Sequence, residues 1–360
     1  MKSKVKRAAK AILITAAILP ATLLLLFAVL FAGELRSLAS VRRLNEKDMY
    51  AMTIYCDYGF DEFLEQGGAK SDEELEAHVK KTLLKGLPIS LDGGSYACSS
   101  FVTQNEDGEV LFGRNFDFRY APSVILYTAP KGGYKSVGVA DMAFAGYTRE
   151  SIPKKDGISA ESLMMLSMPY LTEDGMNEKG VSISIMTVPT GDAPEVDGAP
   201  WLTSTCIVRM VLDNASTVDE AVELMRNCNP YWWEGIRNHF LIADASGRSV
   251  VVEFHDGSLD VIETNRNYQL STNYNLYDGL KRGSGTDRFD KMESAITGNG
   301  GMLTEEEALE LLKTVAIPGR IQWSSLYNLT TGEMSVFPVG NREYTESFTL
   351  EMTHGLAHEE

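Results

Sequence analysis

Residues 98–117 read Cys98-Ser-Ser-Phe-Val-Thr-Gln-Asn-Glu-Asp-Gly-Glu-Val-Leu-Phe-Gly-Arg114-Asn-Phe-Asp117. Apolar and β-branched residues flank Asn105-Glu106-Asp107-Gly108, whose Asp-Gly step suits a tight reversal, so a hairpin of strands Ser99–Gln104 and Glu109–Arg114 is predicted. Antiparallel pairing would fold Arg114 and Asp117 back beside Cys98. A guanidinium next to a thiol favours the nucleophilic thiolate. By themselves the three residues equally suit a plain alternative, a small buried cysteine beside an ordinary Arg and Asp.

Upstream, the chain changes character twice. Lys2, Lys4, Lys6, Arg7 and Lys10 form a basic flank over residues 1–10, followed by an uncharged, mostly apolar run over residues 11–33. Roughly 20 such residues span a bilayer as a helix, whereas a cleaved secretory signal has an apolar core of about 7–15. The run therefore predicts a transmembrane anchor or signal segment, with the basic flank in the cytoplasm and the remainder outside. Residues 34–97 read as a helical segment of their own. Ser71-Asp72-Glu73-Glu74 is a helix start, and Leu75, Val79, Leu83 and Leu84 repeat at helical spacing before Gly93-Gly94-Ser95 breaks the pattern.

Beyond Cys98 the signals group as strands, a helix pair, strands, helices and strands. Val124–Thr128, Val137–Phe144 and Val181–Val188 read as strands, and Thr203–Leu212 and Thr217–Arg226 as helices. A second hairpin is expected around Ser246-Gly247. A short strand Tyr268–Thr272, helices Arg288–Ile296 and Thr304–Val315, and strands Trp323–Asn328 and Glu333–Phe337 complete the domain. This grouping implies an α+β fold with antiparallel sheets covered by helices. The residues from His354 onward read as a frayed tail.

Composition narrows the function. A net charge of −17 over 360 residues excludes nucleic acid as a main partner, since phosphate binding needs a basic surface. Four cysteines cannot make a disulfide scaffold in a chain this long. Cys56, Cys206 and Cys228 read as buried thiols, with a Cys206–Cys228 disulfide left open by the sequence. No His or Cys pair stands at metal-ligand spacing, so no metal and no cofactor is implied. His239 and His255 are candidates for a papain-like Cys–His pair, but each sits on an expected strand and reads better as structural. Tyr231-Trp232-Trp233 suits either the wall of an apolar acyl pocket or ordinary core packing. Gly298-Asn299-Gly300-Gly301 is a loop without phosphate-loop context.

The stretch from Cys98 to Asp117 resembles the start of the choloylglycine hydrolase family, N-terminal-nucleophile hydrolases that cleave linear amide C–N bonds. Three later segments agree in order: Asp174-Gly175-Met176-Asn177-Glu178-Lys179-Gly180, then Leu270-Ser271-Thr272-Asn273-Tyr274, then Asp287-Arg288-Phe289. The resemblance covers Cys98 to about Pro338 and implies an αββα sandwich for residues 98–360. It makes Cys98 the nucleophile and its freed α-amino group the general base, since an α-amine titrates near pH 8. Asp117 would hold that ammonium, Arg114 would stabilise the thiolate, Arg288 would complete the positive surround, and Asn273 would donate to the oxyanion. Bile-salt hydrolases carry a second oxyanion asparagine where Thr187 stands here, so a hydroxyl or a backbone N–H would have to substitute. The close spacing of Asn273 and Arg288 resembles the acid-amidase and penicillin acyltransferase branches instead.

A free amine requires cleavage of Ala97–Cys98, which would make residues 34–97 a pro-segment. It would also cut the link to the membrane, leaving any association with the pro-segment non-covalent. The expected substrate is a small-molecule N-acyl amide, hydrolysed outside the cytoplasm. An acyltransferase using the same acyl-Cys98 chemistry and a non-catalytic membrane-anchored binding module are the alternatives.

Overall fold

The computed structural model of the chain describes Thr22 and residues 25–86, 89–91, 97–338 and 342–353. Most of the expected membrane segment, the Gly93-Gly94-Ser95 break and the tail from His354 lie outside these residues. Among the described residues no helix is long and apolar enough to cross a membrane.

Two sheets stack face to face. One has nine strands, in spatial order Arg42–Arg43, Met49–Thr53, Ser123–Thr128, Ser136–Asp141, Thr172–Asn177, Ser182–Thr187, Asn238–Ala243, Ser249–His255 and Ser258–Glu263. The other has six: Gln269–Ser271, Ala97–Gln104, Val110–Asp117, Ile321–Asn328, Glu333–Pro338 and Glu346–Thr349. Helices Ser204–Asn214 and Val218–Arg226 pack on the first sheet, and Thr286–Gly298 and Glu305–Thr314 on the second. The result is a helix–sheet–sheet–helix sandwich, the arrangement that the family resemblance implies.

Alternation along the strands builds two separate cores. Cys98, Val102, Phe112 and Phe116 point between the sheets into the main core. Phe101 and Leu111, one residue out of phase with those neighbours, point the other way, to Met292, Ile296, Leu309 and Leu312 of the covering helices. Strands covered on both faces read as near-continuous apolar runs, which is why this hairpin shows little polar alternation. Its turn forms as the sequence implies: Asn105 Oδ1 accepts the Asp107 and Glu109 N–H groups, and Gly108 adopts φ 80°.

The helix starts are legible residue by residue. Ser71, Thr217 and Thr304 each accept the N–H three residues on, and Thr304 with Glu307 forms a full capping box. The upstream segment departs from expectation. Residues 34–97 are not a helical unit of their own, because Met49–Thr53 runs parallel to Ser123–Thr128 inside the nine-stranded sheet. Met49, Tyr50, Met52, Tyr58, Phe60 and Phe63 belong to the main core. Tyr58 Oη donates to the buried Asp213 carboxylate at 2.8 Å, and Tyr50 Oη to the Pro153 carbonyl at 2.8 Å. The short run Met49-Tyr-Ala-Met-Thr53 carries no turn signal or alternation that marks a strand. Tertiary packing decides its state.

Candidate active site

The hairpin places Cys98 directly opposite Phe116 and Ala97 opposite Asp117. Cys98 is fully buried. Its backbone, still joined to Ala97, is held at both polar atoms. The Cys98 N–H donates to Asn273 Oδ1 at 2.5 Å, and Arg288 Nη1 donates to the Cys98 carbonyl at 2.6 Å. Arg288 Nη2 also donates to Asn273 Oδ1 at 2.9 Å, and two donors on one atom fix the orientation of that carboxamide. Its Nδ2 donates to the Thr187 carbonyl at 2.9 Å. Cys98, Asn273, Arg288 and Thr187, dispersed along the sequence, thus form one connected cluster.

The two side chains of the Gly-Arg-Asn-Phe-Asp stretch divide between the faces of their strand. Asp117 lies with Arg288, whose Nη1 is 3.5 Å from its Oδ2, and accepts the Ile317 N–H at 3.1 Å. Arg114 enters the space between the sheets, 3.8 Å from Glu173 and 3.6 Å from Asp174. Strand pleating requires this, since residues three apart point to opposite sides. Arg114 and Asp117 therefore flank Cys98 from different sides instead of sharing one. Asp174 is anchored in turn by Trp323 Nε1, Ser325 Oγ and Tyr327 Oη, alternate residues of the facing strand.

The electrostatics describe a closed site. Burial pushes the Cys98 thiol up to about 12, against the opposing pull of Arg114, while the Asp117 backbone N–H also favours the thiolate. Burial pushes the Asp117 carboxyl up to about 6, opposed by the Ile317 N–H and by Arg288 and Arg114. In the uncut chain the thiol is protonated and dry.

Aromatic rings lead away from the nucleophile. Phe116 stacks on Trp323 at 4.0 Å and meets Phe118 at 6.0 Å. Phe118 meets Phe144 at 6.1 Å, and Phe144 meets Trp233 at 5.7 Å. Trp233 thus lines an aromatic row that starts beside Cys98, whereas Trp232 packs against Phe254. Ser90 comes close to this row, since a Cβ on Gly146, two residues after Phe144, would sit 3.4 Å from the Ser90 carbonyl.

The remaining candidates fall elsewhere. His239 engages Glu253 and the Thr272 carbonyl with its two ring nitrogens, and His255 pairs with Asp260 at 3.1 Å. All four cysteines are free thiols, so Cys206 and Cys228 are buried without a bridge. Among the described residues no three His, Cys, Asp or Glu side chains are placed to hold a metal ion. Asn238, directly opposite Thr187, donates from Nδ2 to its hydroxyl at 3.4 Å. Sequence reading passed over Asn238, and likewise Glu173 and Glu253, because only the register of neighbouring strands brings them to the cluster.

A family model for the linear amide C–N hydrolases, choloylglycine hydrolase family, matches residues 98–298 and begins at Cys98. The chain belongs to this family. Penicillin V acylase of Pectobacterium atrosepticum is 28% identical over 229 residues, 58% of this chain and 57% of that protein. Bile salt hydrolase/transferase of Clostridium perfringens is 26% identical over 202 residues, 51% of this chain and 58% of that protein. The chain thus spans less than two thirds of the length of these curated relatives. Among solved structures, a mutant conjugated bile acid hydrolase from Clostridium perfringens superposes with a TM-score of 0.51 at 18% identity. That match covers 70% of this chain and 92% of the other, and shows a shared fold. The choloylglycine hydrolase expectation drawn from the four sequence segments is borne out. The membrane helix and the separate pro-segment of the sequence reading gain no support from these relatives or from the described residues.

Proposed function

We propose that this choloylglycine hydrolase family member is an extracytoplasmic N-terminal cysteine amidase. It matures by cleavage before Cys98 and hydrolyses a linear N-acyl amide through a thioester. The observation that carries the reading is the double grip on Cys98, Asn273 Oδ1 on its N–H and Arg288 on its carbonyl. A buried structural cysteine needs no such grip, whereas a residue whose nitrogen becomes a base must be held at that nitrogen.

In maturation Cys98 Sγ attacks the Ala97 carbonyl carbon. A C–S bond forms, the Ala97–Cys98 C–N bond breaks, and the thiol proton ends on the departing nitrogen. That shift frees the α-amine, and water then hydrolyses the thioester, freeing the thiol and leaving Ala97 with a carboxylate. That amine inherits the contact with Asn273 Oδ1. It takes the thiol proton as Sγ attacks the substrate amide and delivers it to the leaving amine; water resolves the acyl-enzyme. Asp117 and Arg288 flank the amine, and Arg114 supplies positive charge behind the sulfur. Cleavage also frees the Ala97 side of the chain to move away from Cys98. Solvent then reaches the thiol, and the burial that holds its pKa up is relieved. The row from Phe116 to Trp233 suits an apolar acyl group, in keeping with the penicillin V acylase name of one relative.

Acyl transfer is the second reading, favoured by the hydrolase/transferase name of the Clostridium perfringens relative. The extracytoplasmic location rests on the basic flank 1–10 and the apolar run 11–33, within which Leu25, Leu26, Phe27, Val29 and Leu30 are exposed. The test is hydrolysis of an N-acyl amide panel that includes penicillin V, wild type against Cys98→Ala, with and without added amine. Release that depends on Cys98 supports the amidase, acyl capture by the added amine supports the transferase, and release unchanged in the alanine variant overturns both.

A further inference from the structure

Two buried residues with no contact to Cys98 grip the chain on either side of Asn273. His239 and Glu253 face one another on adjacent strands, with Nδ1 and Oε1 2.7 Å apart and both side chains at 0% exposure. His239 Nε2 lies 2.7 Å from the Thr272 carbonyl and 2.9 Å from Ser271 Oγ. On the far side of Asn273, the Leu276 N–H reaches Glu253 Oε1 and Oε2 at 2.8 and 3.1 Å, and the Tyr277 N–H reaches Oε2 at 3.1 Å. The pair therefore ties down residue 272 and residues 276–277, and Asn273 lies between the two ties.

We infer that His239 and Glu253 are positioning residues of the amidase, an ion-paired clamp that fixes Asn273 against the Cys98 nitrogen. The inference rests on the proposed amidase reading. A backbone carbonyl only accepts, so Nε2 must carry a hydrogen to bond the Thr272 oxygen. Glu253 accepts two backbone N–H groups on its two oxygens, and these with His239 favour its ionised form, so the hydrogen between the two side chains sits on Nδ1. Burial alone would push Glu253 up, but the hydrogen bond and charge of His239, with the Leu276 and Tyr277 N–H groups, bring it below its ordinary value.

An apolar pair of the same volume would leave the buried Thr272 carbonyl and two half-buried amides without these partners, a loss costly away from water. The geometry also explains why a short segment with so little regular structure can hold a catalytic group. The strand Gln269–Ser271 ends just before Asn273, and the two-residue pair at Tyr274–Asn275 begins just after it. The short ladder on that side reaches Asn273 only through the Ser284 N–H on its carbonyl, and the ion pair holds the residues on both sides from behind. Asn273 in turn orients Arg288, so one clamp sets two of the four groups around Cys98.

The test uses the full chain and the variants His239→Gln and Glu253→Gln, each of which keeps polar atoms in place while removing charge. In wild type labelled with 15N-histidine, His239 should show both ring nitrogens bearing hydrogen, and the Leu276 and Tyr277 amides should resist hydrogen exchange. Glu253→Gln should speed exchange at those two amides more than in the neighbouring strands. It should also lower kcat on the best amide of the panel about 10²-fold with KM within about threefold, as expected for an angstrom-scale misplacement. His239→Gln should do the same, and Glu253→Asp should recover part of the loss.

A structural role alone lowers Tm without this split. Folded variants with unchanged kcat overturn the inference, as does a wild-type ring with one bare nitrogen. An inactive wild type overturns the amidase reading, whereas the clamp itself stands or falls on the exchange at Leu276 and Tyr277.

Discussion

The backbone N–H of Cys98 donates to Oδ1 of Asn273, a residue 175 positions away in the chain. Through this bond the side chain expected to donate to an oxyanion instead enters the site as an acceptor, with its amide directed at the Thr187 carbonyl. An acceptor at this position suits a nitrogen that must later carry and release a proton. The same contact therefore fits the uncut chain and the matured one.

Arg288 joins the Cys98 carbonyl, Asn273 Oδ1 and Asp117. Replacing it with Gln should slow cleavage before Cys98 about 10²-fold, because the carbonyl and the carboxamide both lose their fixed donor. The half-life of the precursor on denaturing gels reads this directly. A half-life equal to wild type would remove Arg288 from the maturation machinery.

Gly285 leaves the room that Arg288 fills. It sits at φ 84°, and a Cβ there would lie 3.1 Å from both Arg288 Cζ and Thr272 Cβ. Gly285→Ala should cost about 1 kcal/mol for the backbone conformation alone. It should also slow maturation through displacement of the guanidinium. Urea unfolding of the uncut Cys98→Ala background separates the first effect from the second. A stable but slowly maturing variant is the expected pattern.

Asp117 gives a pH signature whose sign follows from burial. Its folded carboxyl is pushed up to about 6, above the ordinary value near 4, so the folded state binds this proton more tightly than the unfolded one. The resulting stabilisation is fully present below about pH 4 and is lost as pH rises through about 6, on the order of 3 kcal/mol in all. Other buried carboxyls titrate as well, so the quantity to measure is a difference. Unfolding free energy of Cys98→Ala minus that of Cys98→Ala/Asp117→Asn should fall between pH 4 and 6.5. A flat difference would mean that Asp117 titrates as an ordinary surface acid.

The segment before Cys98 should stay bound after cleavage. Its strand Met49–Thr53 pairs within the nine-stranded sheet, Tyr58 donates to Asp213, and Tyr170 Oη donates back to the Tyr58 carbonyl at 2.9 Å. The two pieces should co-elute in native size exclusion and separate in denaturant. Tyr58→Phe should weaken their association by about 1–3 kcal/mol, since Asp213 loses a buried donor.

Much of the site was readable because its signals are local. A turn sequence set the hairpin, the hairpin brought Arg114 and Asp117 back to Cys98, and three later segments supplied Asn273, Arg288 and the approach to Thr187. The spacing from Arg114 to Asp117 also carries the division between faces, since strand pleating puts residues three apart on opposite sides. Glu253 and Asn238 were not legible at all. Each reaches the cluster through the register of one strand against another, which depends on packing across the whole sheet. The strand Met49–Thr53 was missed for a related reason, as its five residues gain their state from Ser123–Thr128 and not from their own pattern.

The central claim is that Cys98 becomes an N-terminus by its own chemistry. Intact mass and N-terminal sequencing of the purified protein, wild type beside Cys98→Ala, test it most directly. The account predicts a wild-type fragment beginning at Cys98 and an alanine variant that stays whole. A wild-type chain still joined through Ala97–Cys98, or an alanine variant cut at the same bond, would contradict it.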